Sequence, residues 1–92
     1  MVTVRIPSAM RAATGGEGRV AVEGSTVDQA LRSLVERHPG VKGRLFDGAG
    51  ALRGFVNVFV DEEDIRFSQG LATPVAEGQT VSILPAVSGG SG

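Results

Sequence analysis

One stretch of this chain carries apolar residues at helical period, and alternating strand-like segments lie on both sides of it. Val27, Ala30, Leu31, Leu34 and Val35 follow the i, i+3, i+4, i+7, i+8 spacing of a single buried helical face. Thr26 with Gln29 three residues on fits a capping box, and Pro39-Gly40 stops the helix after His38. The outer face carries Asp28, Arg32, Glu36 and Arg37. Full burial of each large inner residue contributes roughly 1.5–3 kcal/mol, whereas an outer pair such as Asp28 with Arg32 adds only about 0.2–0.5 kcal/mol. Packing, more than charge, therefore positions this helix.

Period-two alternation marks the flanking strands. Val2, Val4 and Ile6 alternate with Thr3 and Arg5 before Pro7, and Arg19 to Glu23 repeats the pattern. Gly15, Gly16 and Gly18 between them predict a hairpin with a long, loose connection. Residues 40–54 hold five glycines around Leu45-Phe46 and read as an irregular connection pinned by those two side chains. Phe55 to Val60 is apolar on both faces except at Asn57, the pattern of a strand covered by the helix on one side and by something else, such as a partner, on the other. Asp61 to Asp64 reads as an acidic turn into a short strand at Ile65-Arg66-Phe67, and Thr80 to Leu84 as the last strand. The order strand, strand, helix, strand, short strand, strand predicts a two-layer α+β domain in residues 1–84 with one main helix on one face of the sheet. In such a fold the first and last strands can be central neighbours.

Composition narrows the chemistry. The 92 residues include no Cys and one His, which removes disulfides, thiol redox chemistry and cysteine zinc sites and leaves too few imidazoles for a transition-metal cage. Nine Lys plus Arg against ten Asp plus Glu, with no Trp or Tyr, argue against nucleic acid as a partner. The alternating start and the lack of any long apolar run lead us to expect a cytoplasmic protein with no membrane partner. His38 reads as a helix C-cap, Asp61 to Asp64 as a solvated turn more than a cation loop, and Gly15-Gly16-Glu17-Gly18 as a connection, because no Lys-Ser or Lys-Thr and no helix follow it. No catalytic residues and no bound metal or cofactor are expected in this chain.

The segment from Pro85 to Gly92 is small and flexible in composition and contains Gly89-Gly90. Two readings stand side by side. A diglycine on a slim arm threads into another protein's active site, with no Cβ to obstruct attack at its carbonyl; alternatively, Ser-Gly-Gly-Ser-Gly is a linker of the kind cloning leaves behind.

The chain resembles the ubiquitin-like sulfur carrier proteins of the ThiS and MoaD type, and within them the CysO group. The resemblance is carried by Val2-Thr3-Val4-Arg5-Ile6-Pro7, by Phe55-Val56-Asn57-Val58-Phe59-Val60, by Asp61 to Phe67 running on to Gly70-Leu71-Ala72-Thr73, and by Val81-Ser82-Ile83-Leu84-Pro85-Ala86-Val87 before the diglycine. It implies a β-grasp (ubiquitin-like) fold and a protein co-substrate that is not itself an enzyme. It further implies that the terminal glycine, Gly90 behind Gly89, is adenylated by a ubiquitin-activating-type enzyme and converted to a thiocarboxylate. Ser91 and Gly92 depart from the pattern, and either a JAMM-type zinc metalloprotease cuts after Gly90 or the pair is a cloning remnant.

By the same resemblance, the sulfur passes to a pyridoxal-phosphate cysteine synthase or another accepting enzyme. ATP, zinc and pyridoxal phosphate then belong to partners, and the free chain is expected to be a monomer. Two alternatives remain: a ubiquitin-like modifier joined to targets through Gly90, and a MoaD-like small subunit of molybdopterin synthase. The expected partner surface is the sheet face away from the helix, with Phe55, Asn57, Phe59, Leu84 and Pro85.

Overall fold

The computed structural model of the chain describes residues 1–85. Five strands form one mixed sheet: β1 (Val2–Arg5), β2 (Arg19–Val22), β3 (Val56–Val60), β4 (Glu63–Asp64) and β5 (Thr80–Pro85), in the spatial order β2-β1-β5-β3-β4. β1 and β5 are parallel central neighbours, with Val4 opposite Val81, and the other pairings are antiparallel. The main helix α1 (Val27–Arg37) lies across one face, and the short α2 (Lys42–Leu45) closes one end. This is the mixed sheet with one main helix that the resemblance implies.

Alternation decides which side chains meet the helix. Val2 and Val4, Val20 and Val22, Val56, Val58 and Val60, and Val81 and Ile83 all point to the helix side and are buried. Against them pack Val27, Ala30, Leu31 and Leu34 from α1, with Val41 and Leu45 beside them. Val35, the fifth residue of the apolar stripe, is only partly buried at the edge of this core.

The helix begins as its sequence indicates, with one shift. The Gln29 amide donates to the Thr26 hydroxyl at 3.1 Å, but the Gln29 side chain accepts from Ser25, at 2.8 Å from its amide, one residue before the cap. The turn into α1 is close: a Cβ on Gly24 would lie 2.7 Å from the Ala30 backbone nitrogen. His38 closes the helix through its backbone N–H to the Leu34 carbonyl at 2.8 Å.

Three connections differ from the sequence reading. The β1–β2 link is an ordered 3-10 turn over Ser8–Thr14 that buries Met10 and Thr14, where a loose connection was expected. The Thr14 hydroxyl donates to the Glu17 carbonyl at 2.8 Å, so a polar residue is satisfied inside. Residues 39–45 coil into a 3-10 turn and α2, and Phe46 then bridges to Leu52, so the glycine-rich connection is more regular than its composition suggests. The short strand is Glu63–Asp64, and Ile65–Phe67 is a 3-10 turn.

Asp64 causes that last change. Its carboxylate accepts from the Arg66 backbone N–H at 2.8 Å and from the Arg66 guanidinium at 2.7 Å, capping the turn and ending the strand. Arg66, first through its side chain and then its backbone N–H, holds the Asp64 carboxyl below its ordinary value. Asp61, at φ 54°, accepts from Gln79 at 3.0 Å and from the Thr80 backbone N–H at 3.1 Å. These two carboxylates of the acidic turn thus hold the backbone in place.

Two outcomes follow for stability. Leu34→Ala leaves a cavity under the centre of α1 and is expected to cost about 2–5 kcal/mol, measured by urea denaturation. A carboxyl with a depressed folded pKa stabilises the fold above its unfolded value of about 3.9, and that contribution disappears as pH falls through the folded value. Asp64→Asn should therefore be less stable than the parent at neutral pH, with the gap closing in acid, as read from denaturation midpoints across that range.

Candidate functional site

The sheet face opposite α1 carries the other half of every alternation, and its two halves differ in kind. Over β2 and β1 it is polar, with Arg19 and Ala21 beside Thr3 and Arg5. Over β5 and β3 it becomes apolar toward the end of β5. The register places Phe59 opposite Ser82 and Asn57 opposite Leu84. Leu84 is 47% exposed and Phe55, just before β3, is 52% exposed, so neighbouring large apolar side chains meet solvent. Phe59 and Asn57 are half-buried between them.

The last rung of the β5–β3 ladder pairs Pro85 with Val56. Pro85, the last described residue, has no N–H to donate to this ladder. β5 thus runs one residue past the expected Leu84 and delivers the chain to the rim of the sheet next to Phe55 and Leu84. The five residues after Pro85, Ala86 to Gly90, can span at most about 17 Å of extended chain.

The structure therefore brings Phe55, Asn57, Phe59 and Leu84 together at the open face of the sheet, whereas Pro85, expected there with them, pairs with the helix-side Val56 and takes the opposite phase of the alternation, at the rim of the same corner. Gly89, Gly90, Ser91 and Gly92 lie outside the described residues. The face beyond β3 has no cover among the described residues, where the apolar pattern of this strand suggested one.

Arg53 borders this corner. Its Nε donates to the Gly43 carbonyl at 2.7 Å, and its guanidinium carbon lies 5.9 Å from the centre of the Phe55 ring, tying α2 to the start of β3. Nearby, Asp47 accepts from the Ala49 N–H at 2.8 Å and the Ala51 N–H at 3.1 Å. Those backbone donors, Ala51 first, hold its carboxyl below the ordinary carboxylate value.

Phe67 is a surface aromatic that the sequence reading did not single out, at 81% exposure. In a strand it would share a face with the buried Ile65; in the 3-10 turn the two diverge. No local signal separates those cases, since the turn depends on the Asp64–Arg66 pair. Among the described residues no group of three or more His, Cys, Asp or Glu is placed to hold a metal ion. No helix among them is long and apolar enough to cross a membrane.

Known proteins share this arrangement. The chain is 46% identical over 91 residues to the sulfur carrier protein CysO of Mycobacterium tuberculosis, covering 97% of this chain and 98% of that protein. It is 37% identical over 73 residues to small archaeal modifier protein 1 of Haloferax volcanii, covering 78% and 79% of the two chains. Among solved structures, it is similar to a chain in the crystal structure of the Amycolatopsis orientalis BexX/CysO complex, with a TM-score of 0.90 and 46% identity over 97% of this chain and 99% of that one. The crystal structure of Mycobacterium tuberculosis CysO gives a TM-score of 0.88 at 45% identity, covering 95% of this chain and 100% of that one. Residues 4–90 match the ThiS family, with the matched region ending on the second glycine of the pair, and the chain belongs to that family.

Proposed function

We propose that this protein is a sulfur carrier whose Gly90 carboxylate, freed from whatever follows it, is activated by a partner enzyme and returned as a thiocarboxylate. The observation that carries the reading is the exit of β5. The described part of β5 reaches Pro85 beside exposed Phe55 and Leu84, and Gly89-Gly90 follow it by only four and five residues in the sequence. Near-full-length identity to CysO and the family match ending at residue 90 support it.

The chemistry needs little from the chain itself. A carboxylate is a poor electrophile, and adenylation by ATP gives its carbonyl a good leaving group that a sulfur nucleophile displaces. Glycine places no Cβ in the path of that attack, and a chain without Cys offers no thiol of its own to intercept the activated end. The domain serves as a handle, its apolar corner at Phe55, Asn57, Phe59, Leu84 and Pro85 held by the enzyme while the tail enters the active site.

The finer reading places the partners in sequence. A metalloprotease of the JAMM type cuts between Gly90 and Ser91, a ubiquitin-activating-type enzyme adenylates and sulfurates Gly90, and a pyridoxal-phosphate cysteine synthase takes the sulfur, all in the cytoplasm. ATP, zinc and pyridoxal phosphate are bound by those enzymes.

A second reading, a protein modifier, has the similarity to a small archaeal modifier protein in its favour. Gly-Gly remnants on lysines of other proteins would distinguish it.

Intact mass of the protein recovered from its own cells tests the first reading. The expected species ends at Gly90, with a fraction about 16 Da heavier where sulfur replaces one oxygen. Deleting Gly90 should abolish that fraction while leaving the thermal melt of the domain unchanged, because the described core ends at β5. A chain that stays full-length and unmodified under sulfur demand would sink the carrier reading.

A further inference from the structure

The formal net charge of −1 conceals a separation of charge along the strand axis. From Arg37 to Val60 the chain has four cations, Arg37, Lys42, Arg44 and Arg53, against one carboxylate, Asp47. From Asp61 to Gln79 it has five carboxylates, Asp61, Glu62, Glu63, Asp64 and Glu77, against one cation, Arg66.

The fold sends these two segments to opposite ends of the sheet. β3 begins beside the first, with Val56 opposite Pro85, and finishes at the second, where the Asp61 N–H donates to the Thr80 carbonyl at 2.8 Å. Glu77 pairs with the Met1 amine at that same end. α1 is oriented in the same sense, starting where the Val27 N–H meets the Thr73 carbonyl and ending at Arg37. Its dipole places the negative end of the helix near the cations, which its own last turn already begins to offset.

The basic pole lies beside the last described residue of β5, on the side of α2 and the start of β3. Arg53 lies three residues before Val56, the partner of Pro85, and is hydrogen-bonded to Gly43 between Lys42 and Arg44. Among the described residues Lys42, Arg44 and Arg53 make no ion pair. Two carboxylates offset part of the pole without forming an ion pair: Asp47, bonded to backbone N–H groups, lies within the field of Arg53, and Glu36 shares a hollow with Lys42, so the four cations of the segment still outnumber them. At about 3.4 Å per residue β3 holds the poles roughly 15 Å apart. That exceeds the screening length of about 8 Å at physiological ionic strength, so a surface approaching one pole scarcely senses the other.

Resting on the carrier reading above, we propose that Lys42, Arg44 and Arg53 form a cationic collar that steers the chain tail-first onto enzymes whose tail-accepting mouth is ringed by carboxylates. The acidic end, where Asp61 and Glu62 share a hollow with Arg5 and Arg19 while Glu63 and Glu77 lie outside it, offers the same mouth less attraction and so disfavours the reversed approach. Charge complementarity of this kind acts through encounter and orientation, while the apolar corner at Phe55 and Leu84 supplies the contact that follows.

The test uses the full chain with the adenylating enzyme of the same organism, reading ATP–pyrophosphate exchange against carrier concentration. The collar variant carries Lys42→Glu, Arg44→Glu and Arg53→Glu. Because Arg53 also holds α2, the double variant Lys42→Glu/Arg44→Glu is measured beside it, and thermal melts report folding. The collar variant should raise the KM for carrier about tenfold or more at low salt with kcat unchanged, and the gap should shrink as salt is added. The double variant should move in the same direction, and Glu62→Lys/Glu63→Lys should not raise KM.

An unchanged KM in the folded double and collar variants, with the parent active, overturns the collar alone. A rise in the KM for ATP in place of that for the carrier overturns it in favour of contact with nucleotide phosphates. A parent chain that supports no exchange overturns the carrier reading and the collar with it.

Discussion

The parallel pairing of β1 with β5 is the constraint on which the rest of the molecule depends. It puts the first and last strands of the described chain side by side at the centre of the sheet, with Val4 opposite Val81. Parallel neighbours cannot be joined by a tight turn, so the intervening chain must cross over, and α1 is the element that lies across the sheet on the way. β2 then occupies one edge and β3 with β4 the other. β5 is held by β1 along Thr80–Ser82 and by β3 along Val81–Pro85, which fixes where Pro85 lies.

That geometry separates the core of a small domain from the surface it leaves open. One sheet face is used up by the core, where Leu31 and Leu34 of α1 meet valines from the strands. The other retains exposed apolar side chains only near the end of β5. Leu84 lies in a strand whose alternate residues are buried and Phe55 directly precedes β3, so the rigid core holds this exposed apolar pair and the end of described β5 in a fixed relation. Arg53 ties α2 to the same corner, which brings the cations of the 37–53 segment to the place where the tail departs.

Much of the architecture was legible because it rests on local period. The helix could be placed from Val27 to Leu34, with Thr26 as its cap, since those residues satisfy helical spacing and capping within a dozen positions. β1, β3 and β5 were equally legible from their alternation. What was not legible involved pairs that are local in sequence but depend on conformation. The Asp64–Arg66 bonds convert Ile65–Phe67 from a strand into a 3-10 turn and turn Phe67 outward. The turn over Ser8–Thr14 is ordered because Met10 and Thr14 find space in a core built by distant strands. The open face shows the same division: that Phe55, Asn57, Phe59 and Leu84 share it could be read from the sequence, whereas the phase of Pro85 and the settings of Arg53 and Phe67 could not, because they come from pairing with other elements.

The sequence by itself determined the main helix and the main strands, their apolar faces, the absence of cysteine chemistry and the presence of a diglycine beyond the last strand. Each of these follows from residue identity or from periodicity over a few turns of chain. The tertiary structure alone decided that β1 and β5 pair in parallel, that the apolar corner adjoins the tail's root, and that a chain of nearly balanced charge has a basic pole there and an acidic pole opposite. The physical reason is that residue spacing sets which face a side chain occupies, whereas the pairing of strands distant in sequence sets which end of the molecule its charge is brought to.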